Sequence, residues 1–188
     1  MTWQLVRLAD ATPSPWRNGG GVTRQLAAWP SAGEWIWRIS VAEVAASGPF
    51  SRFPRVQRWF AVLNGQGVRL KLPDTEHELT RASSAFQFKG ELAVDCELRN
   101  GPTQDLNLMV RRDRAQGRME RIAGVQPRQA RPGMVLALYA VGGPARIDCG
   151  QDSLTVPVHS LAWRTVPAAV ELQVTTPGAL WMEIEQWA

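Results

Sequence analysis

The stretch that decides the fold runs from Gly48 to Leu72 and reads GPFSRFPRVQRWFAVLNGQGVRLKL. Within it, an apolar run from Trp59 to Leu63 is separated from a second run, Val68 to Leu72, by Asn64-Gly65-Gln66-Gly67. Asn-Gly between two β-prone runs favours a tight turn, because the central turn positions need positive φ. The pattern therefore predicts a β-hairpin whose two strands pair with each other.

The composition is that of an ordinary globular protein. Of the 188 residues, 45% are hydrophobic and 20% are charged, so the chain is long enough to bury a core and extensive disorder is not expected. Nine Trp, 16 Gly and 13 Pro favour short strands joined by tight connections.

Positive charge is concentrated in one segment. Residues 111–131 hold seven Arg and two acids, Asp113 and Glu120, a local charge of +5 against +4 for the whole chain. The segment contains no Phe, Trp or Tyr, whereas a nucleic-acid surface would interleave aromatic side chains with the charges. We interpret it as a solvated connector and expect no nucleic-acid partner.

The cysteines and the apolar runs bear on localisation. Cys96 and Cys149 show no C-x-x-C spacing, so two reduced thiols are expected. The N-terminal residues lack the apolar core of a signal peptide, and the longest apolar run, Met134 to Val141, is too short to span a membrane. We therefore expect a cytoplasmic protein without a membrane partner.

Residues Glu34 to Val44 alternate with period two and predict a strand. The large apolar side chains share one parity: Trp35, Trp37, Ile39 and Val41. Arg38 and Ser40 share the other, so they point the same way. Two interpretations remain open: this second face is solvated, or it lines an interior.

Two further stretches present polar groups. Asn18 to Gly21 contains three consecutive glycines, which predicts either a flexible hairpin turn or a concave, anion-binding nest of backbone amides. A strand predicted from Leu106 to Val110 places Asp105, Asn107 and Met109 on one parity. Strands are also predicted over Leu79–Phe88 and Leu92–Leu98.

The pattern of the first part of the chain repeats in the last part. MVLALYAVGGPARI, which begins at Met134, matches WFAVLNGQGVRLKL, which begins at Trp59, and two further pairs of segments match at similar offsets. Such self-similarity predicts two related β units. We predict a first unit over residues 1–112, an Arg-rich connector over 113–131 and a second unit over 132–188.

Motifs for catalysis are missing from the sequence. The only histidines, His77 and His159, lie far apart in the chain, and no nucleophile elbow or phosphate-binding motif occurs. What remains is Arg, Asn, Ser and Thr among aromatic residues, which is chemistry for binding a carboxylate against apolar walls. The expected ligand is a small organic acid.

Five segments together resemble the HutD/Ves family of cupin-like proteins. They occur in the family's order and cover the chain densely as far as Arg112, while the C-terminal third matches only in general pattern. The segments are PWRNGGGVTRQLA (15–27), WRISVAEV (37–44), GPFSRFPRVQR (48–58), AFQFKG (85–90) and GPTQDLNLMVRR (101–112).

The resemblance implies an all-β bicupin, with two cupin-like antiparallel β-barrels or jelly rolls in tandem, and an association with histidine utilisation. It also implies a ligand pocket in the N-terminal barrel. The family pattern assigns ligand binding to Trp16, Asn18, Gly19, Gly20, Thr23, Arg24, Arg38, Ser40, Phe50, Phe53, Asp105, Asn107 and Met109.

The sequence departs from the pattern of metal-binding cupins in one respect and from the HutD/Ves family pattern in two, and each departure changes an expectation. The metal ligands of metallocupins would fall near Ser51, Phe53 and Gln57 or Arg58, none of which is a suitable ligand, so we expect no metal and no other cofactor. Arg55 stands where the family often has Gly, which could alter the turn before the central strand. Gln25 stands where an acidic residue is common, so Arg24 could lack a neutralising carboxylate.

Together with the binding chemistry of the sequence, the resemblance implies a metal-free cupin that binds an acidic metabolite, with urocanate and formylglutamate as candidates, and acts as a sensor or regulator of histidine utilisation. An enzyme, either an isomerase or a hydrolase, and a protein-interaction module are the alternatives. A homodimer is left open. We expect Arg38 to hold the ligand carboxylate. The second unit is expected to be mainly structural, because Ala179-Leu180-Trp181 replaces Asp105-Leu106-Asn107.

Overall fold

Strands make up almost all of the regular structure in the computed structural model, which describes residues 2–187. Over that range the prediction of an all-β protein is confirmed, since the one other element is a 3-10 turn at Leu8–Asp10. In chain order the strands are β1 (Gln4–Arg7), β2 (Pro13–Pro15), β3 (Gly21–Pro30), β4 (Trp35–Val44), β5 (Gly48–Pro49), β6 (Val56–Asn64), β7 (Val68–Lys71), β8 (Glu76–Leu79), β9 (Phe86–Lys89), β10 (Asp95–Leu98), β11 (Thr103–Arg111), β12 (Ala115–Ala130), β13 (Val135–Ala140), β14 (Ala145–Cys149), β15 (Asp152–Val156), β16 (Ser160–Thr165) and β17 (Val170–Gln186).

The chain divides into two compact units. The first unit is residues 11–114, and the second consists of residues 2–10 together with 115–187. The N-terminal residues belong to the second unit because β1 pairs antiparallel with β16, with Gln4 opposite Trp163. This division differs from the boundaries expected from the sequence, which placed the N-terminal residues with the first unit.

The segment that was expected to be an Arg-rich connector is a strand. β12 spans 16 residues and pairs with β17 along its length. Its buried side chains include Ala115, Met119 and Ile122, and Glu120 forms an ion pair with Arg128. The high charge concealed a half-buried strand, since only some of its positions face the core.

The first unit consists of two antiparallel sheets. The six-stranded sheet has the order β2-β3-β4-β11-β6-β9, and the four-stranded sheet has the order β5-β10-β7-β8. Val44 and Phe60 from the larger sheet belong to the same buried cluster as Leu70 and Cys96 from the smaller one. The two sheets therefore pack face to face around one core.

The predicted hairpin between β6 and β7 is wrong, although both strands exist. β6 lies in the six-stranded sheet and β7 in the four-stranded sheet, so residues 64–67 carry the chain from one sheet to the other. Gly65 and Gly67 have φ of 93° and 106°. A Cβ on Gly67 would lie 2.3 Å from the Leu79 carbonyl oxygen, so this crossing requires glycine there.

The second unit is built on one seven-stranded sheet with the order β1-β16-β13-β17-β14-β15, and β12 also pairs with β17. Its core cluster includes Leu136, Leu138, Ala162 and Trp181. No helix within residues 2–187 is long and apolar enough to cross a membrane.

Candidate functional site

A cavity of about 730 Å³ lies within the first unit, against the inner face of the six-stranded sheet. Nine of the thirteen residues assigned from the family pattern line it: Trp16, Asn18, Thr23, Arg38, Ser40, Phe50, Phe53, Asn107 and Met109. The other four, Gly19, Gly20, Arg24 and Asp105, are not among its lining residues. Arg58, which was not assigned to ligand binding from the sequence, is also part of the wall.

Strand alternation in β4 turns Arg38 into the cavity. Trp37 and Ile39, its neighbours in sequence, are completely buried on the opposite face, while Arg38 and Ser40 line the cavity. The guanidinium Nη2 donates a hydrogen bond to Met109 Sδ at 3.2 Å. The structure thus places Arg38 in the cavity wall, and its ligand-binding role stays a prediction.

Trp35 does not follow the parity that the sequence predicted. The Arg38 Cζ lies 5.1 Å from the centroid of the Trp35 ring, and the Trp35 and Phe53 rings are 6.5 Å apart. Opposite this point, the register with β3 shifts between Trp29 and Pro30. Such a β-bulge breaks the simple alternation, so Trp35 packs on the arginine instead of on the outer face.

Arg58 is the more deeply buried of the two arginines, with 5% of the residue exposed. Its Nη2 donates to Asn107 Oδ1 at 3.1 Å, and its Nη1 donates to the Ser51 carbonyl oxygen at 3.4 Å. Its Cζ lies within 4.9–5.6 Å of three aromatic centroids, those of Phe50, Phe53 and Phe88. Burial and the positive charge of Arg38 lower the pKa of Arg58 to about 9, so the group stays charged at neutral pH.

The cavity carries an excess of positive charge. No acidic side chain is among its lining residues, and the ion pairs within residues 2–187 include neither Arg38 nor Arg58. Burial also lowers the pKa of Arg38. Two planar guanidinium groups flanked by aromatic rings can bind a carboxylate and the flat body attached to it.

Asp105 does not supply the missing negative charge. It is completely buried in β11, where Oδ2 accepts a hydrogen bond from Thr103 Oγ1 at 2.8 Å. Burial raises the pKa of Asp105 to about 7, although the Thr103 hydrogen bond opposes this shift. Asp105 is therefore a buried core carboxyl in the first unit and not a counter-ion for Arg38.

The glycine-rich segment forms the hairpin turn between β2 and β3. The amide of Gly19 donates to the Trp16 carbonyl oxygen at 3.0 Å, and that of Gly20 donates to Asn18 Oδ1 at 3.1 Å. Because both donors are already used, the turn interpretation holds and the anion-binding nest does not. A Cβ on Gly21 would approach the Trp16 ring at 3.1 Å. The Trp16 Nε1 also donates to Thr23 Oγ1 at 2.8 Å.

The structure shows the local effect of the two departures from the family pattern, at Gln25 and at Arg55. Arg24 is neutralised despite Gln25, because its Nε lies 3.1 Å from Glu43 Oε1 and its Nη1 donates to the Ala11 carbonyl oxygen. Arg55 adopts a φ of 63°, so the turn keeps the left-handed conformation that glycine would favour.

The cavity wall does not fit a transition metal. At the positions where metallocupins carry ligands, Ser51, Phe53 and Arg58 line the cavity, and a guanidinium group is a poor metal ligand. Gln57 instead donates to the Phe88 carbonyl oxygen at 2.7 Å. Across residues 2–187, no three His, Cys, Asp or Glu side chains are grouped so that they could hold a metal ion.

The fold of this chain is similar to those of solved structures. A solved structure of HutD from Pseudomonas fluorescens matches all of this chain and all of its own, with a TM-score of 0.87 and 27% identity. Oxalate decarboxylase from B. subtilis matches 97% of this chain and 76% of its own, with a TM-score of 0.65 and 9% identity. The latter likeness shows a cupin-like fold alone.

Two curated proteins are related in sequence. Protein Ves of Cronobacter sakazakii is 31% identical over 172 residues, which cover 90% of this chain and 91% of that protein. An uncharacterized 21.2 kDa protein in the hutC 3' region of Pseudomonas putida is 36% identical over 121 residues, 62% of this chain and 63% of that protein. The family model described as HutD matches residues 8–182, and the chain therefore belongs to the HutD/Ves family.

Proposed function

We propose that the cavity of the first unit binds a small organic acid and that the protein acts as a sensor or regulator of histidine utilisation in the cytoplasm. One observation carries the proposal: Arg38 and Arg58 face a cavity that has no acidic lining residue. Buried cations without counter-ions are costly, and this cost is tolerable where an anionic ligand offsets it.

The shape and composition of the walls support an acid with a flat body. The cavity of about 730 Å³ is within the range of small-molecule sites. Phe50 and Phe53 stand beside the guanidinium groups, while Asn107 and Ser40 add hydrogen-bonding groups to the same wall. A carboxylate would bind the arginines, and a planar unsaturated body would stack on the rings.

The names of the relatives direct the choice of ligand. The matching family and a solved relative carry the name HutD, and this name supports an acidic intermediate of histidine breakdown, with urocanate and formylglutamate as the candidates. Urocanate has the planar unsaturated body that would stack on the rings, whereas formylglutamate lacks it and instead offers two carboxylates to the two arginines. We also propose that the two units are cupin-like barrels in tandem. The repeat in the sequence and the cupin-like structural neighbours support this part of the proposal.

A thermal-shift titration with urocanate and formylglutamate tests the proposal. A ligand at 100 times its Kd adds about 2.7 kcal/mol to the free energy of unfolding. Arg38→Lys keeps the charge but loses the planar fork of donors, whereas Arg38→Met loses both. We expect both to weaken binding, with Met worse by roughly 1–3 kcal/mol.

Arg81→Met is the matched control, because Arg81 is exposed in a turn of the same unit and its loss changes the net charge equally. We expect it to leave ligand affinity unchanged. If Arg38→Met alters the melting temperature but not the affinity, Arg38 is structural and the proposal fails. Consumption of the bound acid would identify an enzyme instead, and a specific protein partner without any small-molecule response would identify an interaction module.

A further inference from the structure

Arg164 is a buried charge in the second unit. It lies two residues after the core residue Ala162 in β16, so both side chains point inward. Only 4% of Arg164 is exposed. Its Nε and Nη2 have no hydrogen-bond partner within residues 2–187, and its Cζ lies 5.2 Å from the centroid of the Trp3 ring. Three of the five N–H donors of Arg164, those on Nε and Nη2, are therefore unsatisfied by the described residues.

A small cavity of about 310 Å³ opens beside this guanidinium group. All of its walls belong to the second unit: Thr2, Trp3, Ile147, Cys149, Asp152, Ser153, Leu154 and Arg164. The hydroxyl group of Thr2 is a potential donor to a ligand, whereas that of Ser153 donates to the Asp148 carboxylate. The one acidic lining residue, Asp152, is exposed at the start of β15 and forms no ion pair with Arg164 in the described structure.

The free-energy cost of burying the Arg164 guanidinium group indicates which class of ligand the cavity would bind. A buried guanidinium group without an acceptor is destabilising unless a counter-ion or ordered water satisfies it. The cavity provides one buried positive charge, the Thr2 hydroxyl group and an indole ring, while Asp152 at its wall lowers its affinity for any anion. This combination favours a small oxyanion, because only a compact group can reach the fork of Arg164.

We propose that this cavity is a second anion site, in which Arg164 binds a small carboxylate or an equivalent oxyanion such as phosphate. The site lies wholly in the second unit and does not depend on Arg38 or Arg58. It also changes the expected role of the second unit, which would then contribute a ligand site as well as a packed core.

Cys149 provides a reporter within the cavity wall. The other thiol, Cys96, is 2% exposed, and burial with the nearby Asp105 raises its pKa to about 12. Iodoacetamide should therefore react at Cys149 in the folded protein. The experiment follows the rate of Cys149 alkylation in the full chain during titration with acetate and, separately, with phosphate, while sodium chloride keeps the ionic strength constant.

We expect at least one of the two anions to slow alkylation in a saturable way. Preference for acetate would identify a carboxylate site, and preference for phosphate would identify a phosphate site. Arg164→Gln should weaken this protection about tenfold or more, as for a charged hydrogen bond. Arg118→Gln is the matched control, because Arg118 is an exposed residue of β12 in the same unit and does not line this cavity, and it should keep full protection.

Asp152→Asn keeps the test decisive if Arg164→Gln fails to fold. This exposed substitution removes the wall carboxylate and should lower the anion concentration needed for half-protection. Absence of saturable protection by both anions, or unchanged protection in folded Arg164→Gln, would overturn the proposal. So would an Asp152→Asn variant whose half-protection concentration equals that of the wild type.

Discussion

At the scale of single residues, Asp105 links the stability of the first unit to pH. Its folded-state pKa of about 7 is well above the value near 3.9 of an unfolded chain. Between these values the folded state binds more protons than the unfolded state, so the free energy of unfolding falls as pH rises through this window. Below it, both states are protonated and the effect disappears.

Asp105→Asn should remove this dependence, because asparagine is neutral at every pH and can still accept the Thr103 hydrogen bond. Relative to wild type, we expect the variant to gain about 2–3 kcal/mol between about pH 5 and about pH 8. Urea denaturation at several pH values measures this difference. The exposed Asp95→Asn serves as the control, and a wild-type-to-variant difference that stays constant with pH would contradict the assignment.

Arg55 holds a backbone conformation that favours glycine. Its φ of 63° costs an L-residue roughly 1–2 kcal/mol, which the greater flexibility of glycine in the unfolded chain partly cancels. We expect Arg55→Gly to raise the free energy of unfolding by about 0.5–1 kcal/mol. Arg55→Ala, which loses the same side chain but keeps the strained φ, should give no such gain. Equal stability of the two variants in urea denaturation would contradict this explanation.

At the scale of elements, the crossing from β6 to β7 depends on Gly67. Its φ is 106°, and a Cβ added there would lie 2.3 Å from the Leu79 carbonyl oxygen, which leaves no room for a side chain. We expect Gly67→Ala to lower the free energy of unfolding by more than about 2 kcal/mol.

The matched control for this crossing is Gly33→Ala. The loop residue Gly33 has open space around its Cβ position and no positive φ, so this substitution should be close to neutral. Urea midpoints with unchanged slopes would measure both effects. Equal losses in the two variants would show that the crossing does not specifically require glycine.

The strands were more predictable than their partners. Period-two alternation identified β4, and a continuous apolar run bounded by turn residues identified β6, in which residues 58–63 are all buried. It could not reveal that β6 and β7 belong to different sheets, since the Asn64–Gly67 segment suits a hairpin as well as a crossing. β12 was missed for another reason: the net charge of residues 111–131 suggested a solvated connector, whereas the strand is buried at some of its positions.

The cavity wall was predictable to a similar extent. Parity alone put Arg38 on one face with Ser40, and Asn107 on one face with Met109, whereas the family pattern was needed to assign these faces to a pocket and to add Phe50. The metallocupin comparison shows only that Arg58 is unsuitable as a metal ligand, but Arg58 also shares the parity of the core residue Phe60. That parity was the available signal for an inward charge. Asp105 was misplaced because parity gives the direction of a side chain and not its depth in the core.

At the scale of the whole molecule, the N-terminal residues stabilise the second unit. We expect a fragment of residues 115–188 to be less stable than the same fragment with residues 1–10 attached through a flexible linker, because β16 would otherwise present an unpaired edge. Thermal unfolding and sedimentation of the two fragments measure stability and aggregation. Equal stability and equal solubility would contradict the assignment of β1 to this unit.

A fragment of residues 11–114 offers the complementary comparison. It contains both sheets of the first unit and every residue that lines the larger cavity. We expect it to fold and to keep the response to the acid that the full chain binds.

The pairing of β1 with β16 also has a consequence for synthesis on the ribosome. Arg7 ends β1, whereas its partner strand begins only at Ser160, late in the chain. At about 5–20 residues per second, β1 waits roughly 8–30 s for its partner to be translated. All of residues 11–114 are translated during that interval. The first unit can therefore fold while β1 still lacks its partner strand. β16 must then pair with a strand that was translated long before it.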